Sequence, residues 1–231
     1  MFAVRVTAVN SVVAVDTPGP PTIRVKRRGN VYVERVGVKI RGDIVPPEIT
    51  SWHVGTNAEL IGKCAALGYL HEGDDVLDMT FGLGNFWTLW MPTALTYDAA
   101  QDCRFPPRRW LDAFDVVTLD LPYRLRGTPD PTFDTRYGCQ EKASEQDILT
   151  LLVDGVQAAI TCVRPGGYLL VKCADQVCSG RVVWQTRIVE DALASPLVER
   201  FDMPPSRPQP PGRRQLHARR GSTLLIFKRR K

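Results

Sequence analysis

Two predicted β-strands of this chain each end in an acidic residue that is followed by a turn. The apolar run 75–78 ends in Asp78 and leads into a glycine-rich turn, and the apolar run 114–120 ends in Asp120. The carboxyl ends of the strands in an open α/β sheet share one edge, and ligands bind in the crevice at that edge. We therefore expect both turns to line one binding site.

The turn after Asp78 is suited to a nucleoside-like ligand. Gly82 and Gly84 permit a tight turn and a close approach of the backbone to a ligand. A dinucleotide-binding loop would need a third glycine where this chain has Trp87, and its pyrophosphate would meet the acid. Asp98, at the end of the next predicted strand, is placed for the hydroxyls of a ribose. The alternative is an ordinary strand–turn corner that binds no ligand.

The tetrapeptide Asp120-Leu121-Pro122-Tyr123 has residue types that could hold an amino group for reaction. The amino group of a base is a poor nucleophile because its lone pair is delocalised into the ring. A carboxylate and a backbone carbonyl that accept its two N–H groups would aim the lone pair at a methyl donor. Pro122 stiffens the turn, and Tyr123 can stack on a base swung out of its helix.

The two turns together indicate methyl transfer from S-adenosylmethionine to an exocyclic nitrogen of a base. The alternative for the tetrapeptide is a strand that simply ends in a proline-containing turn.

The composition indicates a globular protein without a membrane segment. The chain has 231 residues, of which 44% are hydrophobic and 24% charged. No apolar run approaches the roughly 20 residues that cross a bilayer, and the N-terminus lacks a signal-peptide pattern. We therefore expect a cytoplasmic protein with no membrane partner. The six cysteines form no C-x-x-C pair and the three histidines are scattered, so we expect reduced thiols and no metal site.

Charge is segregated along the chain. Residues 1–45 carry a net charge of +5, residues 46–202 carry −9, and residues 203–231 carry nine basic groups and no acid. Basic segments that fold onto one face form the electrostatic footprint of a protein that binds a polyanion. The alternative is that the basic ends only increase solubility.

The order of predicted elements indicates one α/β domain with an extension at its N-terminus. Residues 46–231 alternate apolar strands with amphipathic helices, which predicts a doubly wound, mostly parallel sheet. Residues 1–45 show valines that alternate with charged residues around a glycine turn, which predicts a small, basic, β-rich N-terminal extension. A basic strand pair within 197–231 completes the domain.

Capping residues predict where two helices begin. Thr56 and Glu59 have capping-box spacing before an amphipathic segment, and Ser144 could cap a long helix. Further helices are expected at 85–91 and 182–195.

From about Pro47 to Phe227 the chain resembles the S-adenosylmethionine-dependent, amino-methylating DNA methyltransferases with a D/N/S-P-P-Y/F/W motif. The resemblance is strongest to the small N6-adenine DNA methylases of phages and actinobacteria. Residues 76–87 look like the cofactor loop, and Asp120–Tyr123 is similar to the catalytic tetrapeptide, although the family usually has proline at the position of Leu121. The resemblance implies a Rossmann-like class I methyltransferase fold and methylation of adenine N6 in DNA.

The same resemblance assigns residues to the cofactor S-adenosyl-L-methionine. The segment 53–60 looks like the family's segment before the cofactor loop, and Asp102 and Cys103 resemble positions that contact the ribose and adenine of the cofactor. The implied cofactor-binding residues are Asn57, Asp78, Thr80, Gly82, Gly84, Asp98, Asp102 and Cys103.

DNA is the expected partner, and RNA is the alternative. Residues 127–138, 171–180 and 215–227 also look like the N6-adenine subgroup. We expect the basic C-terminal region to contact phosphates and the loop 124–142 to read bases. The candidate nucleic-acid contacts are Arg136, Arg213, Arg214, His217, Arg219 and Arg220.

Two alternatives to adenine methylation stay open. The tetrapeptide would serve any exocyclic amine, so an enzyme that acts on cytosine N4 or on RNA is the first. A catalytically decayed nucleic-acid-binding protein on the same fold is the second, and Leu121 is the feature that favours it, because the backbone carbonyl is kept but the rigidity of the turn is reduced.

Three further residues have competing interpretations. Lys172 is expected to pair with Asp120 or Asp175, or to lie at the surface with its charge in water. Trp87 and Trp90 are expected in the core or in the wall of the cofactor site rather than as base-stacking residues.

Overall fold

The computed structural model describes residues 48–98, 101–121, 125, 144–205 and 221–230, and the backbone of five short strands within the first 45 residues. In chain order the strands are β1 (Val4–Val6), β2 (Ile23–Arg24), β3 (Glu34–Arg35), β4 (Val38–Ile40), β5 (Asp43–Val45), β6 (Asp75–Asp78), β7 (Ala94–Tyr97), β8 (Phe114–Asp120), β9 (Val163–Cys173), β10 (Gln176–Cys178), β11 (Arg181–Val183), β12 (Leu197–Met203) and β13 (Ser222–Lys228). The α-helices are α1 (Asn57–Ala66), α2 (Glu145–Cys162) and α3 (Gln185–Ala192), and two 3-10 turns span Asn85–Trp87 and Arg108–Trp110.

Seven strands form one sheet in the order β1-β7-β6-β8-β9-β13-β12. Strands β7, β6, β8 and β9 are parallel to one another, and β13 runs antiparallel between β9 and β12. The predicted doubly wound, mostly parallel, Rossmann-like sheet is confirmed. The chain runs from β6 to β7 on one side and then returns to β8 on the other, and such a reversal opens a crevice at the carboxyl edge of the sheet.

Helices cover both faces of this sheet. Successive residues of a strand point to opposite faces. On β8, Val117 and Leu119 pack in the core beneath α2, whereas Val116 packs in the core beneath α1. Because both faces are buried, each central strand reads as a nearly continuous apolar run.

Two helix starts follow the capping residues. At α1 the Thr56 hydroxyl accepts the backbone N–H of Glu59, and the Glu59 carboxylate accepts the backbone N–H of Thr56. Ser144 and Asp147 form the same reciprocal pair at the start of α2. Both predicted helix starts are confirmed, since a capping box depends only on residues within one turn.

The helix predicted at 85–91 is wrong. A single 3-10 turn, Asn85–Trp87, is present there, and Gly84 before it lies in the left-handed region with φ of 69°. Trp87 and Trp90 are both buried against α1 and β6, so tertiary packing outweighs the helical spacing of this segment. Their expected place in the core is confirmed.

The helix predicted at 182–195 is shorter and begins later. Val182 belongs to β11 and pairs with Val177 of β10, so the helix starts only at Gln185. The cross-strand pairing satisfies the backbone of Val182 and Val183, which the periodicity of a single segment cannot reveal.

The first 45 residues contain the expected strands. β2 pairs with β3, β4 pairs with β5, and β1 pairs antiparallel with β7 at the edge of the main sheet. Of these strands β1 belongs to the seven-stranded sheet, whereas β2–β3 and β4–β5 form two separate pairs, and the domain boundary near residue 45 stays a prediction.

Five cysteines lie within the described residues, and all are buried without a disulfide: Cys64, Cys103, Cys162, Cys173 and Cys178. Cys139 lies outside them. None of the helices that the structure describes is long and apolar enough to span a bilayer.

Candidate active site

Asp78 ends β6 as a buried carboxylate with two strong donors. Its side chain is held by the backbone N–H of Thr80, which donates to Oδ1 at 2.9 Å, and by the indole N–H of Trp87, which donates to Oδ2 at 2.6 Å. Asp78 is 4% exposed. Burial raises the pKa of Asp78 to about 6, and the nearby charge of Asp120 adds to the increase. The two hydrogen bonds act in the opposite direction, because they stabilise the carboxylate.

Thr80 connects the glycine-rich turn to the tetrapeptide. Its hydroxyl oxygen accepts the backbone N–H of Asp120 at 2.7 Å. The bond crosses from the end of β6 to the end of β8, which are neighbouring parallel strands. The two turns predicted to line one site therefore do meet, and one side chain fixes their spacing.

Asp120 forms an ion pair with Lys172. The two residues lie side by side on β8 and β9, and Lys172 Nζ is 3.4 Å from Asp120 Oδ2. Lys172 is 5% exposed, so this pair is largely shielded from water. Burial raises the pKa of Asp120, while the ammonium group of Lys172 opposes that increase.

This pairing decides between the interpretations of Lys172. The expected contact with Asp120 is confirmed, and a surface position is excluded by the burial. Asp175 instead accepts the backbone N–H and the hydroxyl of Thr186 at the start of α3.

The glycine-rich turn folds back on the end of β7. Gly82 and Gly84 have φ of 51° and 69°, in the left-handed region that favours glycine. A Cβ at Gly84 would lie 2.7 Å from the ring of Phe81. That ring stacks on Tyr97 with the two centroids 3.7 Å apart, which ties the turn to the strand that precedes Asp98.

Asp98 and Asn57 also lie at the carboxyl edge. Asp98 follows β7 directly, and β7 is paired with β6 so that Tyr97 lies beside Asp78. Asn57 begins α1, and the segment before it is tied to the carboxyl end of β12 by the His53 N–H, which donates to the Asp202 carbonyl.

Asp102 and Cys103 lie in the segment that follows β7. Both oxygens of Asp102 accept the guanidinium of Arg104, with the shortest contact at 2.6 Å. Cys103 is buried in the core beside Leu121, and burial raises the pKa of its thiol to about 11. Cofactor contact by these two residues stays a prediction.

Several predicted site residues lie outside the described part of the chain. These are Pro122, Tyr123, Arg136, Arg213, Arg214, His217, Arg219 and Arg220. Their attachment points are described: Asp120 ends β8, and the basic stretch connects the end of β12 with the start of β13. All of these strand ends lie at the carboxyl edge of the sheet.

The sequence did not indicate two contacts of this site. Trp87 was expected in the core or in the wall of the cofactor site, and its indole N–H also donates to Asp78. Gln176 of β10 accepts the backbone N–H of Leu125, just beyond the tetrapeptide, through its side-chain oxygen at 3.2 Å. A buried tryptophan beside a buried acid is a usable signal, because an indole N–H needs an acceptor. The glutamine contact spans 51 positions and has no local signal.

Comparison with known proteins gives matches in structure and none in sequence. No protein-family model matches the chain, and no curated protein matches it. A proposed DNA modification methylase of Thermus thermophilus is similar over 68% of this chain and 55% of its own, with 14% identity and a TM-score of 0.38. The chain thus spans just over half the length of that protein.

Two other solved structures are covered almost completely. The N-methyltransferase NodS of Bradyrhizobium japonicum matches 75% of this chain and 96% of its own, with 12% identity and a TM-score of 0.41. A proposed methyltransferase of Bacillus halodurans matches 74% and 99%, with 12% identity and a TM-score of 0.43. NodS has also been solved with S-adenosyl-L-homocysteine, and the Thermus protein with S-adenosyl-L-methionine. At these identities and TM-scores the similarities carry no information about the reaction or substrate of this chain.

Proposed function

We propose that this chain is an enzyme that transfers a methyl group from S-adenosyl-L-methionine to the exocyclic N6 of adenine in DNA. The observation that supports this function is the pair of largely buried acids, Asp78 and Asp120, at the carboxyl ends of the two strands between which the sheet order reverses. Thr80 joins the two turns, so a cofactor loop and a reacting turn would keep a fixed spacing. The resemblance of Asp120–Tyr123 to the amino-methylating tetrapeptide supports an exocyclic amine as the acceptor.

The charges around the glycine-rich turn fit S-adenosylmethionine better than a nucleotide phosphate. Residues 75–98 contain no lysine, arginine or histidine, while Asp78 and Asp98 end two adjacent strands. A pyrophosphate would face these carboxylates without a neutralising cation from this segment. A sulfonium, an ammonium and ribose hydroxyls would instead find acceptors that form charge-assisted hydrogen bonds. Asp78, Asp98 and the backbone at Gly84 are the residues that would hold this cofactor.

The bound cofactor would supply an electrophilic methyl group. The part of Asp120 is to accept one N–H of the target amine, and the backbone carbonyl of Leu121 can accept the other. These bonds reduce the delocalisation of the lone pair into the ring and fix its direction. The nitrogen is then held in line with the methyl group, and such positioning of the two reactants contributes much of the rate. The new nitrogen–carbon bond would form as the carbon–sulfur bond of the cofactor breaks and a neutral thioether leaves. The nitrogen must then lose one proton, and the Asp120 carboxylate that already accepts this N–H can take it.

Adenine in DNA is the substrate that the sequence favours. The resemblance points to adenine N6, and five of the nine basic residues of 203–231 belong to the stretch that joins the end of β12 to the start of β13 at the carboxyl edge. Cytosine N4 and amines in RNA are the alternatives, and each would give a different methylated nucleoside.

Calorimetric titration with S-adenosylmethionine combined with a turnover assay tests this function. Gly84→Trp would place a large side chain against Phe81 and should abolish binding of the cofactor. Asp120→Ala should bind the cofactor like the wild type but lose about a hundredfold or more in turnover, because it removes an interaction made with the target amine. Asp191→Ala, which removes an exposed acid of α3, is the matched control. Full cofactor affinity in Gly84→Trp or full turnover in Asp120→Ala would contradict the assignment.

A further inference from the structure

Leu121 is a core residue, although it stands where the resembling family usually has a turn proline. Its side chain is 5% exposed and packs in the same cluster as Leu119 and Cys103, on the side of the sheet that α2 covers. Leucine leaves φ of the backbone unrestrained, where a proline ring would fix it, but its side chain can be buried. The turn can therefore be fixed by packing instead of by a ring.

Gly155 of α2 provides the space for this side chain. A Cβ at position 155 would lie 2.8 Å from Leu121 Cδ1 and 3.3 Å from Cys103 Sγ. Gly155 is not among the glycines with positive φ, so its backbone does not require glycine. Glycine is a poor residue for the interior of a helix. Its presence in the middle of α2 is explained by the contact with Leu121.

A second leucine anchors the chain just after the tetrapeptide. Leu125 is 3% exposed and packs in a small separate cluster with Ile148, Cys178 and Val183. Its backbone N–H donates to the side chain of Gln176. Buried leucines therefore hold both ends of the segment that begins at Asp120. Leu121 packs against the middle of α2, and Leu125 packs against the start of α2 and the β10–β11 hairpin.

We propose that the Leu121–Gly155 contact positions Asp120 and the Leu121 carbonyl for the reaction, in place of the rigidity that a proline ring would supply. Leu121 contributes its carbonyl and, through its side chain, holds the turn, while Gly155 is a positioning residue that acts only through Leu121. The catalytic meaning of this contact rests on the proposed function.

Gly155→Ala separates positioning from stability. The new Cβ crowds Leu121 Cδ1, while alanine is the better helix former, so the two effects on the melting temperature oppose each other and we expect a change of only a few degrees. Because the displaced Leu121 side chain should shift Asp120, we expect kcat for methyl transfer to fall about tenfold or more. The affinity for S-adenosylmethionine should stay within about twofold of the wild-type value. Leu121→Val, which removes the δ carbons, should restore most of the turnover in the Gly155→Ala background.

Amide hydrogen exchange tests the contact without any substrate. The Asp120 N–H is protected by its bond to Thr80 Oγ1. It should exchange about tenfold faster in Gly155→Ala and return toward the wild-type rate in the double variant. Gly73→Ala is the control, since a Cβ there would meet nothing within 4 Å and should change neither turnover nor exchange.

The possible outcomes separate the two proposals. Faster exchange at Asp120 in Gly155→Ala with rescue by Leu121→Val, in a protein that methylates nothing, would support the contact and contradict the proposed function. An active wild type in which Gly155→Ala leaves both turnover and exchange unchanged would overturn the contact. The contact would also be overturned if the fold-loss of turnover in the double variant equalled the product of the fold-losses in Gly155→Ala and Leu121→Val. Such a product is expected of independent sites, which do not rescue each other.

Discussion

At the scale of single residues, the Asp120 carboxylate must stay ionised in a place from which most water is excluded. Burial disfavours the charged form, and the ammonium of Lys172, 3.4 Å away, favours it. The charge of Asp120 in turn contributes to the raised pKa of Asp78. Lys172 is thus the cation among the described residues that offsets the effect of burial on Asp120.

Lys172→Met should shift the acidic side of the pH–kcat profile to higher pH. Loss of the ammonium raises the pKa of Asp120, and turnover is lost below that pKa because the protonated acid forms only a weaker, uncharged bond to the amine and cannot take its proton. We expect a shift of about one pH unit or more. Lys228→Met, at an exposed residue near the opposite end of the sheet, is the control. An unchanged acidic limb in Lys172→Met would show that Lys172 does not hold the charge on Asp120.

Asp78 should make the protein more stable as the pH falls from 7 toward 4. Its pKa of about 6 in the folded state lies above the value of about 4 for an exposed aspartate. The folded protein therefore binds the proton more readily, and the stability contributed by the protonated form is complete below pH 4 and lost as the pH rises through 6. The contribution of Asp78 to the free energy of unfolding should therefore be greater at pH 4 than at pH 7 by on the order of 2–3 kcal/mol.

Thermal melts of the wild type and Asp78→Asn across this pH range measure the effect. The asparagine does not titrate, so the wild type should gain stability relative to the variant as the pH is lowered. A difference between the two melting temperatures that does not change with pH would contradict a raised pKa at this position.

At the scale of elements, three parallel strands bring their terminal acids to one edge, and Thr80 couples two of them. Thr80→Val keeps the shape but leaves the Asp120 N–H without its acceptor. We expect a loss of about 1–2 kcal/mol in the free energy of unfolding, measured by denaturant titration, and reduced turnover. Thr80→Ser keeps the hydroxyl and should behave like the wild type. Equal stability of the valine and serine variants would show that the bond contributes nothing.

Elements whose signals are local were predictable from the sequence. The capping boxes at Thr56 and Ser144 involve residues three positions apart, and the strand ends at Asp78 and Asp120 follow apolar runs. The helix predicted at 85–91 failed because Trp87 is fixed by the core and by Asp78, which lie elsewhere in the sheet. Spacing within one segment cannot report such contacts.

Pair contacts within the site were predictable only in part. Lys172 and Asp120 are 52 positions apart, and the sequence offered Asp175 as an equal partner. The parallel register of β8 and β9 decides between them. The burial of Leu121 opposite Gly155 also depends on how α2 packs on the sheet, which no local pattern encodes.

At the scale of the whole molecule, a basic stretch begins and ends at the edge of the acidic central part that carries the candidate site. Residues 46–202 carry a net charge of −9, and the basic stretch after residue 203 joins β12 to β13 at the carboxyl edge. The sequence predicted a parallel sheet but not that β13 would lie between β9 and β12. That placement is set by packing between distant segments, and it brings the ends of the basic stretch to the edge that carries Asp120.

DNA binding should depend less on salt when four arginines of the basic stretch are replaced together by glutamine. These are Arg213, Arg214, Arg219 and Arg220. Each lost phosphate contact should lower the slope of log K against log salt by about 0.9 on duplex DNA, about equally for all sequences. Arg187→Gln, at an exposed arginine of α3, is the control. A slope that the four substitutions leave unchanged would mean that these arginines are solvated and that the N-terminal basic residues carry the interaction.

The most direct test of the proposed function is the identity of the methylated nucleoside. Duplex DNA, single-stranded DNA and RNA would each be incubated with the full chain and S-adenosylmethionine carrying a deuterated methyl group, then digested and analysed by mass spectrometry. We predict deuterated N6-methyldeoxyadenosine from DNA with the wild type and none with Asp120→Ala. Label found only in N4-methyldeoxycytidine or only in RNA, or equal labelling by Asp120→Ala, would contradict adenine methylation at this site.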